Sequence, residues 1–131
     1  MALHTIMIID DTPDHRAMLG CLLRAVGYRV LEASPGQAAL DQARSERPDL
    51  ILTALSLPGQ PAWETARLLR HQLALADTPI LGASVYSPLL THSRAQALGC
   101  ADYVNKPFDL DDLLRRILLL LPSTTQTILA A

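Results

Sequence analysis

Polar side chains that could bind a cation and an oxyanion fall at the ends of short apolar runs. Asp10 and Asp11 follow the first run, Ser84 ends a later one, and Lys106 precedes a proline near the end of the chain. Carboxylate oxygens are ligands that Mg²⁺ prefers, and a compact ammonium suits a tight anion site. Lys106 is the single lysine among 11 basic residues, the others being arginines. The pattern indicates a site for a divalent cation and a phosphoryl oxyanion.

Five apolar runs alternate with longer segments of helical periodicity, which predicts a parallel sheet with helices on its faces. Short connections and right-handed crossovers then give a doubly wound α/β fold. Ligands bind such sheets beyond the carboxyl ends of the strands, which is where the polar residues above and Ala54 fall. The predicted strands are Leu3–Ile9, Tyr28–Ala33, Asp49–Ala54, Pro79–Ser84 and Asp102–Val104.

Proline, glycine and capping residues predict five helices between these strands. We expect the first to be capped by Thr12, to begin at Pro13 and to end at Gly27, and the second to enter at Ser34-Pro35. The last helix should bury a stripe made of Leu110, Leu113, Leu114, Ile117, Leu118 and Leu121. The remaining predicted ranges are about 35–47 for the second helix, 61–75 for the third, 88–98 for the fourth and 110–121 for the fifth.

Composition narrows the class of protein. A chain of 131 residues is large enough for one domain with a real core. Its apolar runs fall short of the roughly 20 residues that span a bilayer, and its start lacks the basic region of a signal peptide, so we expect a cytoplasmic protein without membrane contact. A net charge of −2 gives no electrostatic reason for nucleic-acid binding. Cys21 and Cys100 are isolated and are expected to be reduced core thiols.

Taken together, these residues and their spacing resemble the receiver domain of two-component response regulators, over about residues 3 to 121. The resemblance implies a flavodoxin-like, CheY-like (βα)5 fold with strand order 2-1-3-4-5. It also implies a non-enzymatic domain over residues 1–122, followed at 123–131 by a tail or the start of a linker. The partner would be a sensor histidine kinase or another signalling protein, in bacterial two-component or phosphorelay signal transduction. Pairing of two copies through the fourth helix, fifth strand and fifth helix is a further expectation.

The resemblance also assigns roles to individual residues. Asp11 would ligate Mg²⁺ directly, Asp10 would do so through water, and the backbone carbonyl of Ser56 would complete the protein's share.

Around the phosphoryl group, the resemblance assigns three further roles. The Ser84 hydroxyl would bond the phosphoryl group, and Lys106 would pair with the acidic site and then with phosphate. Tyr103 would be the aromatic residue whose rotamer follows the serine.

The chain departs from the family at the residue that accepts the phosphoryl group. Ala54 stands where the family carries an aspartate, and a methyl group can neither form an acyl phosphate nor ligate a metal. The formal charge of the site is −1 when Asp10, Asp11 and Lys106 are counted, whereas a third carboxylate would make it −2. One unit charge at about 4 Å contributes roughly 4 kcal/mol at an effective dielectric constant near 20. We therefore expect Mg²⁺ binding to be possible but substantially weakened.

A second departure adjoins the first. The family usually continues Leu-Pro with a short loop that ends in Asp-Gly, whereas here Leu57-Pro58-Gly59 is followed by Gln60-Pro61. Two adjacent departures favour a pseudo-receiver that diverged naturally and acts through protein contacts. The alternative is a conventional Asp-phosphorylated regulator that carries an Asp-to-Ala substitution at position 54. A remote alternative is a small-ligand carrier of flavodoxin-like fold.

Overall fold

The computed structural model describes residues 3–55, 59–72, 75–85 and 92–122, and strands alternate with helices along them. Five strands and five helices are present, as the alternation of the sequence predicts. Their bounds are β1 (Thr5–Ile9), α1 (Pro13–Ala25), β2 (Arg29–Ala33), α2 (Gln37–Glu46), β3 (Leu50–Ala54), α3 (Pro61–Leu69), β4 (Ile80–Val85), α4 (His92–Ala97), β5 (Asp102–Lys106) and α5 (Leu110–Leu120).

The strands form one parallel sheet in the order β2-β1-β3-β4-β5, which confirms the flavodoxin-like topology. The register aligns the carboxyl ends of neighbouring strands. Ile9 of β1 lies beside Thr53 of β3, and Ala54 lies beside Ala83 of β4. Lys106, the last residue of β5, lies beside the last residue of β4. The residues that follow β1 therefore meet the ends of β3, β4 and β5 along one edge.

Each face of the sheet carries its own hydrophobic core, because side chains alternate along a strand. On β1, Ile6 and Ile8 pack in a cluster with residues of α1 and α5. Met7 and Ile9 point the other way, into a cluster with residues of α2, α3 and the segment after α4. Every residue of β3 is buried, which explains its nearly continuous apolar sequence.

The predicted N-cap of α1 is confirmed at Thr12, although its side chain makes no capping hydrogen bond. The predicted bounds of the next two helices differ from the structure. The second helix begins at Gln37 rather than at Ser34-Pro35, because Gly36 provides the N-cap with a φ of 136° that suits glycine. The predicted third helix was too long. It ends at Leu69, and the next residue, Arg70, donates side-chain hydrogen bonds to three carbonyl oxygens, those of Leu75, Ala76 and Thr78.

Asp109 caps α5, accepting hydrogen bonds from the backbone N–H groups of Asp111 and Asp112 at 3.0 and 3.5 Å. The predicted apolar stripe of this helix was too wide. Leu113, Ile117 and Leu121 are buried, whereas Leu110 and Leu118 are 39% and 66% exposed.

The prediction of core thiols is confirmed for Cys100 and wrong for Cys21, which is exposed on α1. Burial raises the pKa of the Cys100 thiol to about 11. The predicted start of the fourth helix at Pro88 and the tail 123–131 lie outside the described residues. Within the described part of the chain, no helix is long and apolar enough to cross a membrane.

Candidate functional site

Asp10 is a buried carboxylate at the end of β1, and hydrogen bonds engage all of its oxygens. Only 2% of the residue is exposed. Its Oδ1 accepts the backbone N–H of Thr12 at 2.8 Å, and its Oδ2 accepts the ammonium of Lys106 at 2.7 Å. Its backbone carbonyl accepts a hydrogen bond from the Arg16 guanidinium. The carboxylate is therefore held in one orientation by both β5 and the start of α1.

The Lys106–Asp10 ion pair spans the carboxyl edge of the sheet. Lys106 ends β5 and Asp10 follows β1, so the pair joins elements on opposite sides of β3 and β4. The lysine side chain is 16% exposed and that of Asp10 is 3% exposed. The peptide bond that follows, Lys106–Pro107, is cis. A buried carboxylate requires such a partner, because an unpaired charge in the interior is very costly.

Two strands lie between this pair, and Ala54 ends the first while Ser84 is the penultimate residue of the second. Ala54 is 8% exposed and offers only a methyl group. Ser84 follows the residue that pairs with Ala54 and is 4% exposed. Its hydroxyl oxygen has no hydrogen-bond partner among the described residues. Buried polar groups are nearly always hydrogen-bonded in folded proteins, so this hydroxyl is a candidate ligand-binding group.

The other predicted site residues have different surroundings. Asp11 is exposed beside Asp10. Tyr103 is half-buried on β5, and its hydroxyl donates a hydrogen bond to Asn105 Oδ1 at 2.7 Å. Ser56 lies outside the described residues. The structure thus brings Asp10 and Lys106 into direct contact.

The described donor set fits a tight Mg²⁺ site poorly. Asp10 could ligate a metal only by sharing or giving up oxygens that now accept from Thr12 and Lys106. Ala54 contributes no oxygen. Among residues 3–55, 59–72, 75–85 and 92–122, no three His, Cys, Asp or Glu side chains are grouped so that they could hold a metal ion. Asp11, by contrast, makes no ion pair within the part of the chain that the structure describes.

One residue that supports the site carries no sequence signal. Arg16, on the first turns of α1, donates to the carbonyl of Asp10 and, at 3.2 Å, to the hydroxyl of Ser34. It therefore ties the end of β1 to the loop after β2. In the sequence, an arginine at this helix position is indistinguishable from an ordinary exposed charge. Its role becomes visible only when the strand order shows that β1 and β2 are neighbours.

A second charge cluster lies on the surface of β5 and α5. Arg116 donates to both carboxylate oxygens of Asp102, at 2.8 and 2.7 Å, and to Asp112 at 2.9 Å. Hydrogen bonds from Arg116 and then Arg115 lower the pKa of Asp112. Hydrogen bonds to Asp112 and Asp102 raise the pKa of Arg116. These side chains are partly exposed, which limits what such pairs contribute to stability.

A five-stranded parallel sheet in this order, with a buried aspartate–lysine pair at its carboxyl edge, defines a CheY-like α/β signalling domain. A family model described as the response regulator receiver domain matches residues 6–118. The chain belongs to the response regulator receiver domain family. Members of this family typically bind Mg²⁺ in an acidic pocket and interact with histidine kinases and other signalling proteins.

Individual relatives agree with this assignment. The chain is 34% identical over 113 residues to the phosphate regulon transcriptional regulatory protein PhoB of Pseudomonas aeruginosa, covering 86% of this chain and 49% of PhoB. It thus spans about half the length of that relative. It is 29% identical to protein PilG of the same organism, covering 92% of this chain and 89% of PilG. Chemotaxis protein CheY4 of Vibrio cholerae superposes with a TM-score of 0.82 at 28% identity, covering 92% of this chain and 100% of that one.

Proposed function

We propose that this chain is a receiver domain that cannot be phosphorylated at position 54 and that acts through protein–protein contacts. The observation that carries the proposal is the methyl group of Ala54 at the carboxyl end of β3, between the strand ends that bear Asp10 and Ser84. Alanine has no oxygen with which to attack a phosphodonor. The receiver domain proposed here extends over residues 1–122, and 123–131 form a tail or the start of a linker.

The Lys106–Asp10 pair supports a resting state that needs no metal. In this pair one ammonium neutralises one buried carboxylate at 2.7 Å. A third carboxylate at position 54 would compete for the same ammonium and would repel Asp10. Without it, like charges are not crowded at this edge. We therefore propose that Mg²⁺ binds weakly, through Asp11 and with water-mediated help from Asp10.

The partners we propose are a sensor histidine kinase or another signalling protein, and a second copy of the chain. The second copy would bind through α4, β5 and α5. Arg115 and Arg116 are followed one turn later by Leu119, which is 74% exposed, so charged and apolar groups occur together there. A Leu119→Glu substitution should shift a dimer towards monomer in sedimentation velocity runs. Unchanged sedimentation of a dimer would exclude this face as the interface.

The test is incubation with acetyl phosphate and Mg²⁺, followed by intact-protein mass spectrometry. The native chain should gain no phosphoryl adduct. An active conventional receiver domain treated in parallel is the positive control, and the Ala54→Asp variant, which restores a carboxylate to the end of β3, is measured beside the native chain. A stoichiometric, acid-stable and base-labile adduct on the native chain would overturn the proposal.

A second candidate function is that of a conventional phosphorylated regulator with an Asp-to-Ala substitution at position 54. The Ser84 hydroxyl has no hydrogen-bond partner among the described residues, which favours this candidate because a nearby phosphoryl group would supply one. This candidate predicts that Ala54→Asp alone restores full phosphorylation and tight Mg²⁺ binding. A variant that stays inert would instead indicate that the site has diverged beyond that one residue, for example in the loop before Pro61.

A further inference from the structure

A groove of about 480 Å³ lies between α1 and the start of α5. Its walls are mostly apolar and include Met18 and Leu22 of α1 and Phe108 and Leu110 around the start of α5. Met18 is 54% exposed and Leu110 is 39% exposed, so part of this apolar surface meets solvent. The volume falls in the range of about 300–1,000 Å³ that is typical of small-molecule sites.

The charges around the groove favour an uncharged occupant. His15 and Lys106 are its polar lining residues, and the ammonium of Lys106 is neutralised by Asp10 at 2.7 Å. Lys106 is already paired with Asp10 and so offers an anionic ligand no free counter-charge, and burying an unpaired charge against the apolar walls is costly.

We propose that this groove binds an uncharged, largely apolar small molecule and that the Lys106–Asp10 pair senses its binding. Lys106 belongs to both structures, since it lines the groove and makes the buried ion pair. A ligand that packs against Lys106 changes the surroundings of that pair, and by linkage the state of the pair changes the ligand's affinity. The sensing role rests on the proposed function, because it provides an input that needs no phosphoryl transfer.

Two related fluorescent probes test the class of ligand. N-phenylnaphthylamine is uncharged, and anilinonaphthalene sulfonate adds an anionic sulfonate to the same aromatic frame. Titration of the full chain should show saturable binding of the uncharged probe with one site, and binding of the sulfonate weaker by about tenfold or more. Equal or tighter binding of the sulfonate would overturn the uncharged-ligand assignment.

Two arginine substitutions locate the site and keep Lys106 the single lysine. Met18→Arg places a charge in the groove, and Val26→Arg places one at a residue just after α1 that does not line it. Met18 and Val26 are 54% and 53% exposed, so neither change should prevent folding. Met18→Arg should weaken binding of the uncharged probe by about tenfold or more, and Val26→Arg by less than about twofold. Equal loss in both variants, or binding without saturation, would show general adsorption and overturn the proposal.

The single lysine allows the sensing role to be measured separately. In a lysine-selective ¹⁵N spectrum, the one side-chain ammonium signal belongs to Lys106. Saturation with N-phenylnaphthylamine should move that signal in the native chain and leave it unmoved in Met18→Arg, which also has one lysine. A signal that stays in place while the probe binds would overturn the sensing role. Absence of probe binding, together with a change from dimer to monomer in Met18→Arg, would assign the groove to a second copy instead. Neither outcome depends on the acetyl phosphate test.

Discussion

Two charge clusters of this chain use similar side chains in opposite surroundings. At the carboxyl edge of the sheet, Lys106 and Asp10 form one buried pair, with side chains 16% and 3% exposed. On the surface of β5 and α5, Arg116 binds two carboxylates, those of Asp102 and Asp112, and all three side chains are between 26% and 32% exposed. The surface cluster makes more hydrogen bonds, but solvent reaches the buried pair far less and so cannot readily replace a lost partner.

The difference predicts that the buried pair should not tolerate the loss of its cation. Removing one member of a buried pair leaves an uncompensated charge, which costs about 3–5 kcal/mol. Removing one member of an exposed pair typically costs at most about 1 kcal/mol, because solvent takes over. We therefore expect burial, rather than the number of hydrogen bonds, to decide which cluster contributes more to the free energy of unfolding.

Lys106→Met breaks the buried half of the comparison and should have the largest effect. We expect the free energy of unfolding to fall by about 3 kcal/mol, because Asp10 stays buried without a counter-charge. Urea denaturation at neutral pH measures the change. Arg116→Met is the matched control and should cost less. The double variant Asp10→Asn, Lys106→Met should recover part of the loss. Equal costs for the two methionine variants would contradict the distinction between buried and exposed pairs.

Ala54→Asp sharpens the comparison by adding a carboxylate to the buried cluster. Mg²⁺ affinity should rise by at least about tenfold, which corresponds to about 1.4 kcal/mol and is well below the Coulomb estimate of roughly 4 kcal/mol. Isothermal titration calorimetry with Mg²⁺ provides the measurement. The control is Ala54→Asn, which has the same shape without the charge. Affinity unchanged in both variants would show that Asp10 and Asp11 are not positioned to share a cation.

Asp102→Asn weakens the exposed cluster while Asp112 remains as a partner of Arg116. The expected loss of stability is at most about 1 kcal/mol. Because salt screens exposed ion pairs, added salt should reduce the difference in the free energy of unfolding between the variant and the native chain. Urea denaturation at low and high ionic strength measures both effects. A loss as large as that of Lys106→Met would place the surface cluster among the main supports of the fold.

Acid should produce the smallest effect, through Asp112. Its pKa is lowered in the folded chain from 3.8, so the carboxylate is stabilised relative to the unfolded state. The contribution is present above about pH 4 and is lost as the pH falls through the folded pKa. The native chain should therefore lose a small amount of stability between about pH 5 and pH 3 that Asp112→Asn does not lose. The difference in the free energy of unfolding between the two chains should shrink by that amount. A difference that grows as the pH falls would contradict the sign of this effect.

Local sequence signals were enough for much of the fold and for the placement of Asp10 and Lys106 at one edge of the sheet. The apolar run of β3 and the proline at the start of α1 predict elements that the structure confirms. Because parallel strands end at one edge, the positions of Asp10 and Lys106 were enough to place both at that edge. Other features depend on tertiary contacts. The end of α3 is set by Arg70, which holds the carbonyls of the following turn.

Side-chain partners could not be predicted in the same way. Which group Lys106 binds depends on side-chain reach across β3 and β4, which the sequence does not reveal. The support that Arg16 gives Asp10 likewise exists only once α1 is packed on the sheet. The width of the α5 stripe was misjudged because helical periodicity does not reveal how far the neighbouring helix covers it, as exposed Leu118 shows.

The central claim is that Lys106 binds Asp10 and that no phosphoryl acceptor lies between them at position 54. The lysine-selective ¹⁵N spectrum tests it most directly, because the chain has one lysine. The ammonium signal should move strongly in Asp10→Asn and should stay unchanged when acetyl phosphate and Mg²⁺ are added to the native chain. A signal insensitive to Asp10→Asn, or one that moves with acetyl phosphate as a phosphoryl adduct forms, would contradict the claim.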